Sequence, residues 1–336
     1  MALFTATAAT FAASISALAY LIYRALLPKP IPGIPCDPVS AGRLLGDIPD
    51  LLKAQKRRQE AFTFIAEKCI RLKSPVIQMF AQIGGKPWLI VADAREGIDI
   101  MTSRASEFDR SALFGGLFKA TLPASQLLLP TNEEWRHHRR ILADTLSPNF
   151  LESTSAPAIY SAVSDLLQLW RQKSRLALGR SFNVENDLIH AALDAIRAAA
   201  FGSPAGATQL QSSHIRNLDQ VDLDMDSAST VEFLTAPLSA EVDAVGVLGD
   251  SSEITASSPF GSWAHQFTIW TYPSLRAAMK AKNTLIRSKI ADATLKAERG
   301  QVPSSATDFA VAREIKDAAR TDRKADLHSP VLRDKL

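Results

Sequence analysis

Cysteine is almost missing from this chain: Cys36 and Cys69 are the only two among 336 residues. One pair cannot build a disulfide framework, and no C-x-x-C spacing is available for a zinc or redox site. A reducing compartment is therefore the expected setting of the body. A dominant charge sign is missing too, with 38 Lys and Arg against 35 Asp and Glu. That near-balance supplies no global basic field, so nucleic acid is not an expected partner. Charge is absent altogether from Met1 to Tyr23. A secretory leader or mitochondrial presequence would carry basic residues there, and the first one is Arg24. Repeats and low-complexity tracts are likewise lacking.

What the first segment does contain is an uncharged run long enough to span a hydrocarbon core, which takes about 20 helical residues. Ala, Thr and Ser dilute it. Leu3, Phe4, Phe11, Ile15, Leu18, Leu21 and Ile22 together favour insertion by roughly 2 to 4 kcal/mol at best. The expectation is a single-pass transmembrane anchor over residues 1–27. Arg24 and Lys29 follow the run, which places the body on the cytosolic side. Next come Pro28, Pro30, Pro32 and Pro35, with Gly33 among them. Prolines remove donors and fix φ, so residues 28–40 are expected to form a stiff hinge.

The body, 41–336, reads as mainly α with a small antiparallel β-sheet. A helix is expected over 51–73, with Phe62, Ile65, Cys69 and Leu72 inward and Lys56, Arg57 and Arg58 outward. Val76–Ala81 and Trp88–Ala92 flank Gly84-Gly85 as a hairpin. Ala94–Arg104 is helical again, and 105–131 is a long connection containing Phe114-Gly115-Gly116. Ile159, Val163, Leu166, Leu167 and Trp170 trace one later helix, and Asp187–Phe201, ended by Gly202, another. Residues 203–262 have weak periodicity and are expected to hold two short helices. Leu275–Arg299 is a long helix with a basic, solvated face; beyond Asp308 charges of both signs dominate, until Ser329-Pro330 offers a last helix start.

The most informative run is Asn132-Glu133-Glu134-Trp135-Arg136-His137-His138-Arg139-Arg140-Ile141-Leu142. Thr131 and Asn132 can cap a helix whose first turn carries two acids. Trp135, Arg139 and Leu142 then share one face. An indole N–H beside a guanidinium fork is a set of donors without an acceptor, suited to a carboxylate or phosphate on a large apolar ligand. The commoner meaning of such a helix is an amphipathic surface helix with snorkelling arginines. Adjacent His137 and His138 point about 100° apart on a helix and make no metal pair.

The order of these features resembles a microsomal cytochrome P-450. The local matches are Pro30-Ile31-Pro32-Gly33, Glu107-Phe108-Asp109-Arg110, the Trp135-x-x-x-Arg139 helix, Asp144-Thr145-Leu146-Ser147-Pro148-Asn149-Phe150, and the tail His328–Leu336. The resemblance implies the N-terminal part of that fold, cut before its long central helix. It implies haem b, with Trp135 and Arg139 on a propionate, an NADPH-dependent reductase partner, and oxidation of a small apolar substrate by dioxygen at the endoplasmic-reticulum membrane. Loop 109–131 and residues 203–262 match regions that shape the family's substrate pocket. The Phe-x-x-Gly-x-x-x-Cys-x-Gly loop that supplies the thiolate is not in these residues, and neither cysteine resembles it. Glu107-x-x-Arg110 and Glu133-x-x-Arg136 lie too early to be the family's Glu-x-x-Arg pair. The expectation is therefore an inactive chain that does not retain haem. The alternative is a membrane-anchored, non-catalytic interaction protein that keeps part of the scaffold.

Overall fold

The computed structural model describes residues 2–57, 60–104, 106–111, 115–216, 230–258 and 260–334. Two compact units make up the chain, Met1–Asp109 and Arg110–Leu336. It is mainly helical, with one two-stranded antiparallel sheet.

In the N-terminal unit, α1 spans Ala2–Leu26. The uncharged run is thus one helix, yet among the described residues no helix is long and apolar enough to cross a membrane. The expected transmembrane anchor over 1–27 is corrected on that point. Alanines and hydroxyl side chains give a helix readily but dilute its apolar character.

The proline-rich segment after it turns at Pro32–Gly33, where the Ile34 N–H returns to the Ile31 carbonyl, and is pinned. Buried Gln78 donates its side-chain amide to the carbonyls of Ile31 and Ile34 and accepts the Ile31 N–H. The Gln78 N–H adds a bond to the Pro35 carbonyl. Prolines have few N–H groups to offer, so a side-chain amide supplies most of the pairing here.

The helix expected over 51–73 is two helices, α2 (Ile48–Lys56) and α3 (Ala61–Arg71). The polar run Gln55–Glu60 has no apolar residue to bury, so the first helix stops at Lys56, and Glu60 is extended. Arg58 lies outside the described residues. The inward face of α3 also differs from expectation. Phe62 is 83% exposed, whereas Phe64 and Ile65 pack with Cys69, Ile77 and Met79. Strands β1 (Val76–Met79) and β2 (Trp88–Val91) pair as the expected hairpin, Val76 opposite Val91. Helix α4 follows over Ala94–Thr102, capped by the Asp93 carboxylate.

Beneath this hairpin lies a buried ion pair. Lys68 and Asp47 are both about 1% exposed and bonded to each other. Asp47 also accepts the Ser40 hydroxyl at 2.6 Å and the Phe80 N–H at 2.7 Å. Gly46, at φ +53°, passes directly under Phe80.

The C-terminal unit begins with the long connection, of which residues 112–114 lie outside the described ones, and then α5 (Glu133–Ile141). Helix α6 covers Ala156–Leu176 and α7 covers Glu185–Phe201, the latter ended by Gly202 at φ +77° as expected. The buried face of α6 is Ala162, Leu166, Leu169 and Lys173; Ile159, Val163 and Leu167 stay exposed. The reason is polar. Lys173 binds both oxygens of buried Asp187 at 2.7 and 2.8 Å, and the Trp170 N–H reaches the same carboxylate. A paired buried charge sets the rotation of the helix against the simple apolar count.

Helix α8 (Ala207–Arg216) receives an acid at its start: Asp194 of α7 accepts the N–H groups of Ala207 and Thr208. Residues 217–229, inside the weakly patterned stretch, lie outside the described ones. The second helix there is longer than expected: α9 runs over Ala240–Ser257. Then come α10 (Ser262–Thr271), α11 (Pro273–Glu298), α12 (Ala306–Arg320) and the one-turn α13 (Pro330–Arg333). Helix α12 was hidden by its charges. Its signals are the Ser305 cap on Asp308 N–H and the buried stripe Ala310, Val311, Glu314 and Ala318.

His265 of α10 is fully buried between two hydroxyls of α9. Ser251 gives its only proton to the Leu248 carbonyl, so His265 Nε2 donates to Ser251 at 2.8 Å. Nδ1 is then left to accept from Thr255 at 2.9 Å, and the ring is neutral.

Burial holds both His265 and His190 below the ordinary histidine range; around His190 the carboxylates of Asp187 and Asp194 oppose it, and Lys173 reinforces it. The unfolded chain then takes up these protons first, so stability is fully present above about pH 6.5 and falls as acid is added. For Asp308 and Glu314 burial alone would raise the carboxyls. Lys296 and Arg323, with hydrogen bonds from Ser304, Ser305 and the Asp326 N–H, outweigh burial and hold them low. Their contribution is lost in a second window, below about pH 4. Urea unfolding of the C-terminal unit should show a falling midpoint between about pH 7.5 and 5.5, with a smaller fall in His265→Gln. An unchanged midpoint across that interval would contradict this assignment.

Candidate functional site

Helix α5 is built as a rigid shelf. Asn132 accepts the Trp135 N–H at 2.9 Å and starts the helix, with Glu133 and Glu134 in its first turn. At its other end Ile141 enters a core made by Ile286, Ile290, Ala293, Ala310, Val311 and Leu332. Just beyond, Asp144 takes a two-pronged bond from Arg313 of α12 at 2.6 and 3.1 Å. Leu142 has left the helix but still packs on that core.

On this shelf the two residues expected to act together do meet. The Arg139 guanidinium lies 5.3 Å from the Trp135 ring centre. A third residue joins them that the sequence reading did not assign: the Arg110 guanidinium sits 4.5 Å from the same ring. Arg110 is steered there by a 3.0 Å hydrogen bond to Thr131. Each contact of this type contributes about 0.5–1 kcal/mol at a partly exposed site. Arg110 had a signal in the sequence, the Glu107–Arg110 motif. Nothing in its spacing, however, places it against Trp135 across 25 residues.

The electrostatics point one way. Arg139 is exposed and pairs with no carboxylate among the described residues, and the Trp135 indole N–H donates to none of them. Arg136, one residue on, is committed to Glu133 in an exposed ion pair. Glu107 is taken by Arg104. Of the two Glu-x-x-Arg matches, Glu133–Arg136 is thus an exposed local pair within one helix turn, and Glu107 pairs with Arg104 rather than Arg110. The arrangement is a half-buried indole under two guanidiniums, with donor capacity left over for a planar anion.

The cysteines are placed for other things. Cys69 is sealed in the core of the N-terminal unit. Burial, with Asp37 and Asp47 nearby, pushes the Cys36 thiol up against the lowering effect of Lys68. The Cys36 thiol is thereby kept from the thiolate form at neutral pH.

Comparison with known proteins bears on the family. The cytochrome P450 family model matches residues 66–239, a span that includes α5. A cytochrome P450 monooxygenase of Pestalotiopsis microspora is 35% identical over 99% of this chain and 58% of its own length. The cytochrome P450 monooxygenase xilC of Penicillium crustosum is 32% identical over 91% of the chain and 53% of its own length. The cytochrome P450 monooxygenase TRI13 of Fusarium sporotrichioides is 36% identical over 55% of the chain and 31% of its own length. The chain thus spans little more than half the length of the first two. With the family model matching residues 66–239, just over half of its residues, the chain belongs to the cytochrome P450 family.

Proposed function

We propose that this chain is a portion of a haem-dependent monooxygenase acting on a small apolar substrate, and that Trp135 and Arg139, joined by Arg110, hold a propionate of its haem. The observation that carries this reading is the uncommitted donor set: the Trp135 indole Nε1–H and the Arg139 fork, with no carboxylate on them among the described residues. A propionate is an anion on a large apolar disc, which suits a half-buried indole flanked by guanidiniums. Haem bound there supplies oxygen-activating chemistry at its iron, with electrons from an NADPH-dependent reductase. Trp135 supplies a flat apolar wall and one donor. Arg139 and Arg110 neutralise and orient the acid. Within these 336 residues no thiolate is placed to ligate iron, so the chain by itself does not oxygenate.

The test is an absorption titration of the chain with added haem, which reads weak uptake on the shelf even though the chain is not expected to retain haem without the thiolate loop. Arg139→Ala and Arg110→Ala should each weaken uptake by about tenfold, the worth of one charge-assisted bond of roughly 1.4 kcal/mol or more. Reduced, carbon-monoxide-treated samples should lack the signature of thiolate-ligated haem. Equal uptake by the variants, or a thiolate signature, would overturn the reading.

Membrane association belongs to the same proposal, at the endoplasmic-reticulum membrane with the body cytosolic and residues 28–40 as the hinge. Its support is exposure. Phe11, Ile15, Leu18, Leu21 and Ile22 of α1 are all exposed. In the C-terminal unit Trp263, 82% exposed, shares an outward face of α10 with Phe267 and Trp270. No charged residue occurs between Glu253 and Arg276. Indole-rich, uncharged faces favour the lipid–water boundary. Vesicle flotation should fall by about tenfold or more when Phe11, Ile15 and Leu18 become serine, because each loses its buried apolar area. Flotation that does not change would refute it.

A further inference from the structure

A second cavity in the C-terminal unit has a composition that the propionate shelf does not explain. It encloses about 350 Å³ and is lined by Arg287 and Ile290 of α11 and by Leu327, His328 and Arg333. Its floor is apolar: Ile290 is 5% exposed, and Leu327 packs on the core that also holds Ile141 and Leu332. Its rim is cationic, and no carboxylate is among the lining residues. The acid next to Arg333 in the chain is already used. Asp334 accepts the Arg333 Nε–H at 3.1 Å and the Ala124 N–H at 2.8 Å. That leaves the terminal nitrogens of Arg333 and the whole Arg287 fork without a partner among the described residues. Lys282, which is outside the lining, is committed to the Thr121 carbonyl at 2.6 Å.

Two arginines lining one cavity with an apolar floor and no acid among its lining residues leave cationic donors for an anion to use. The volume lies at the lower end of the range for small-molecule pockets, about 300–1,000 Å³. We propose that this cavity binds a small carboxylate carrying an apolar body, the acid held by Arg287 and Arg333 with His328 at the mouth, and the apolar part on Ile290 and Leu327. The site is separate from the Trp135–Arg139 shelf in both its residues and its ligand.

The full 336-residue chain is titrated by calorimetry with 4-phenylbutyrate, 4-phenylbutanol and inorganic phosphate. The acid should bind at least about tenfold more tightly than the alcohol, as one charge-assisted contact implies, and its affinity should fall with added salt. Phosphate, lacking the apolar body, should bind more weakly than the acid. Arg287→Gln and His328→Gln are both at exposed side chains, so the thermal melt should hold while acid binding weakens by about fivefold or more. Arg139→Ala should leave it unchanged, which separates this site from the haem reading. Equal affinity for acid and alcohol, phosphate binding as tightly as the acid, or indifference to Arg287→Gln would each overturn the proposal.

Discussion

Lys68→Met is expected to destabilise the N-terminal unit by about 3–5 kcal/mol, the usual cost of removing one partner from a buried ion pair. The reason is what stays behind. Asp47 would keep its charge at about 1% exposure, with only the Ser40 hydroxyl and the Phe80 N–H to satisfy it. A buried carboxylate in that state protonates or lets water in, and either breaks the contact between α3 and the β1 end. The double variant Lys68→Met with Asp47→Asn should recover part of the loss, since no net charge then remains buried. Guanidinium unfolding followed by far-ultraviolet circular dichroism measures this. A loss below about 1 kcal/mol for the single variant, the level of an exposed pair, would show that the two charges are solvated rather than sealed.

Gly46→Ala should cost a comparable amount, about 3 kcal/mol or more, for two reasons that add. At φ +53° an alanine carries the left-handed penalty, about 1 kcal/mol. The added Cβ would also stand 2.5 Å from the Phe80 Cβ and closer still to its carbonyl oxygen. That oxygen accepts the Asp47 N–H at 2.8 Å, so the backbone cannot retreat without losing the bond. Gly33→Ala is the control, because it has a similar φ of +83° and nothing within 4 Å of the added atom. It should lose only the conformational part. Equal losses at the two glycines would mean that the close approach to Phe80 is not real.

How much of this was readable from the residues alone depended on whether the signal was local. The α5 shelf was readable because its cap, its first-turn acids and the Trp135–Arg139 spacing lie within eleven residues. The hairpin and the Gly202 stop were readable for the same reason: a turn or a left-handed cap announces itself in two or three positions. Pairings across distance were not. Lys68 reads as a solvent residue until Asp47 is placed beside it, and the α6 face reads by its branched apolar residues until Asp187 claims Lys173 and Trp170. Arg110 was seen as part of a motif, but its place over Trp135 depends on how the loop returns to Thr131. Helix α12 was obscured because its inward positions include Glu314 and Asp308, which are buried only because Arg323 and Lys296 come with them. The transmembrane expectation erred in the other direction, by taking a modest apolar sum from seven residues as enough for a span. Length and helicity were met; apolar density was not.

The central claim is that Trp135, Arg139 and Arg110 recognise an acid on a porphyrin, and esterification tests it most directly. The chain is titrated in parallel with haem and with haem dimethyl ester, which keeps the disc and the iron but removes both propionate charges. The free acid should bind at least about tenfold more tightly, in line with one lost charge-assisted contact, and Arg139→Ala should erase that preference while leaving ester binding as it was. Equal affinity for acid and ester in the unaltered chain would mean that the shelf does not read the propionate.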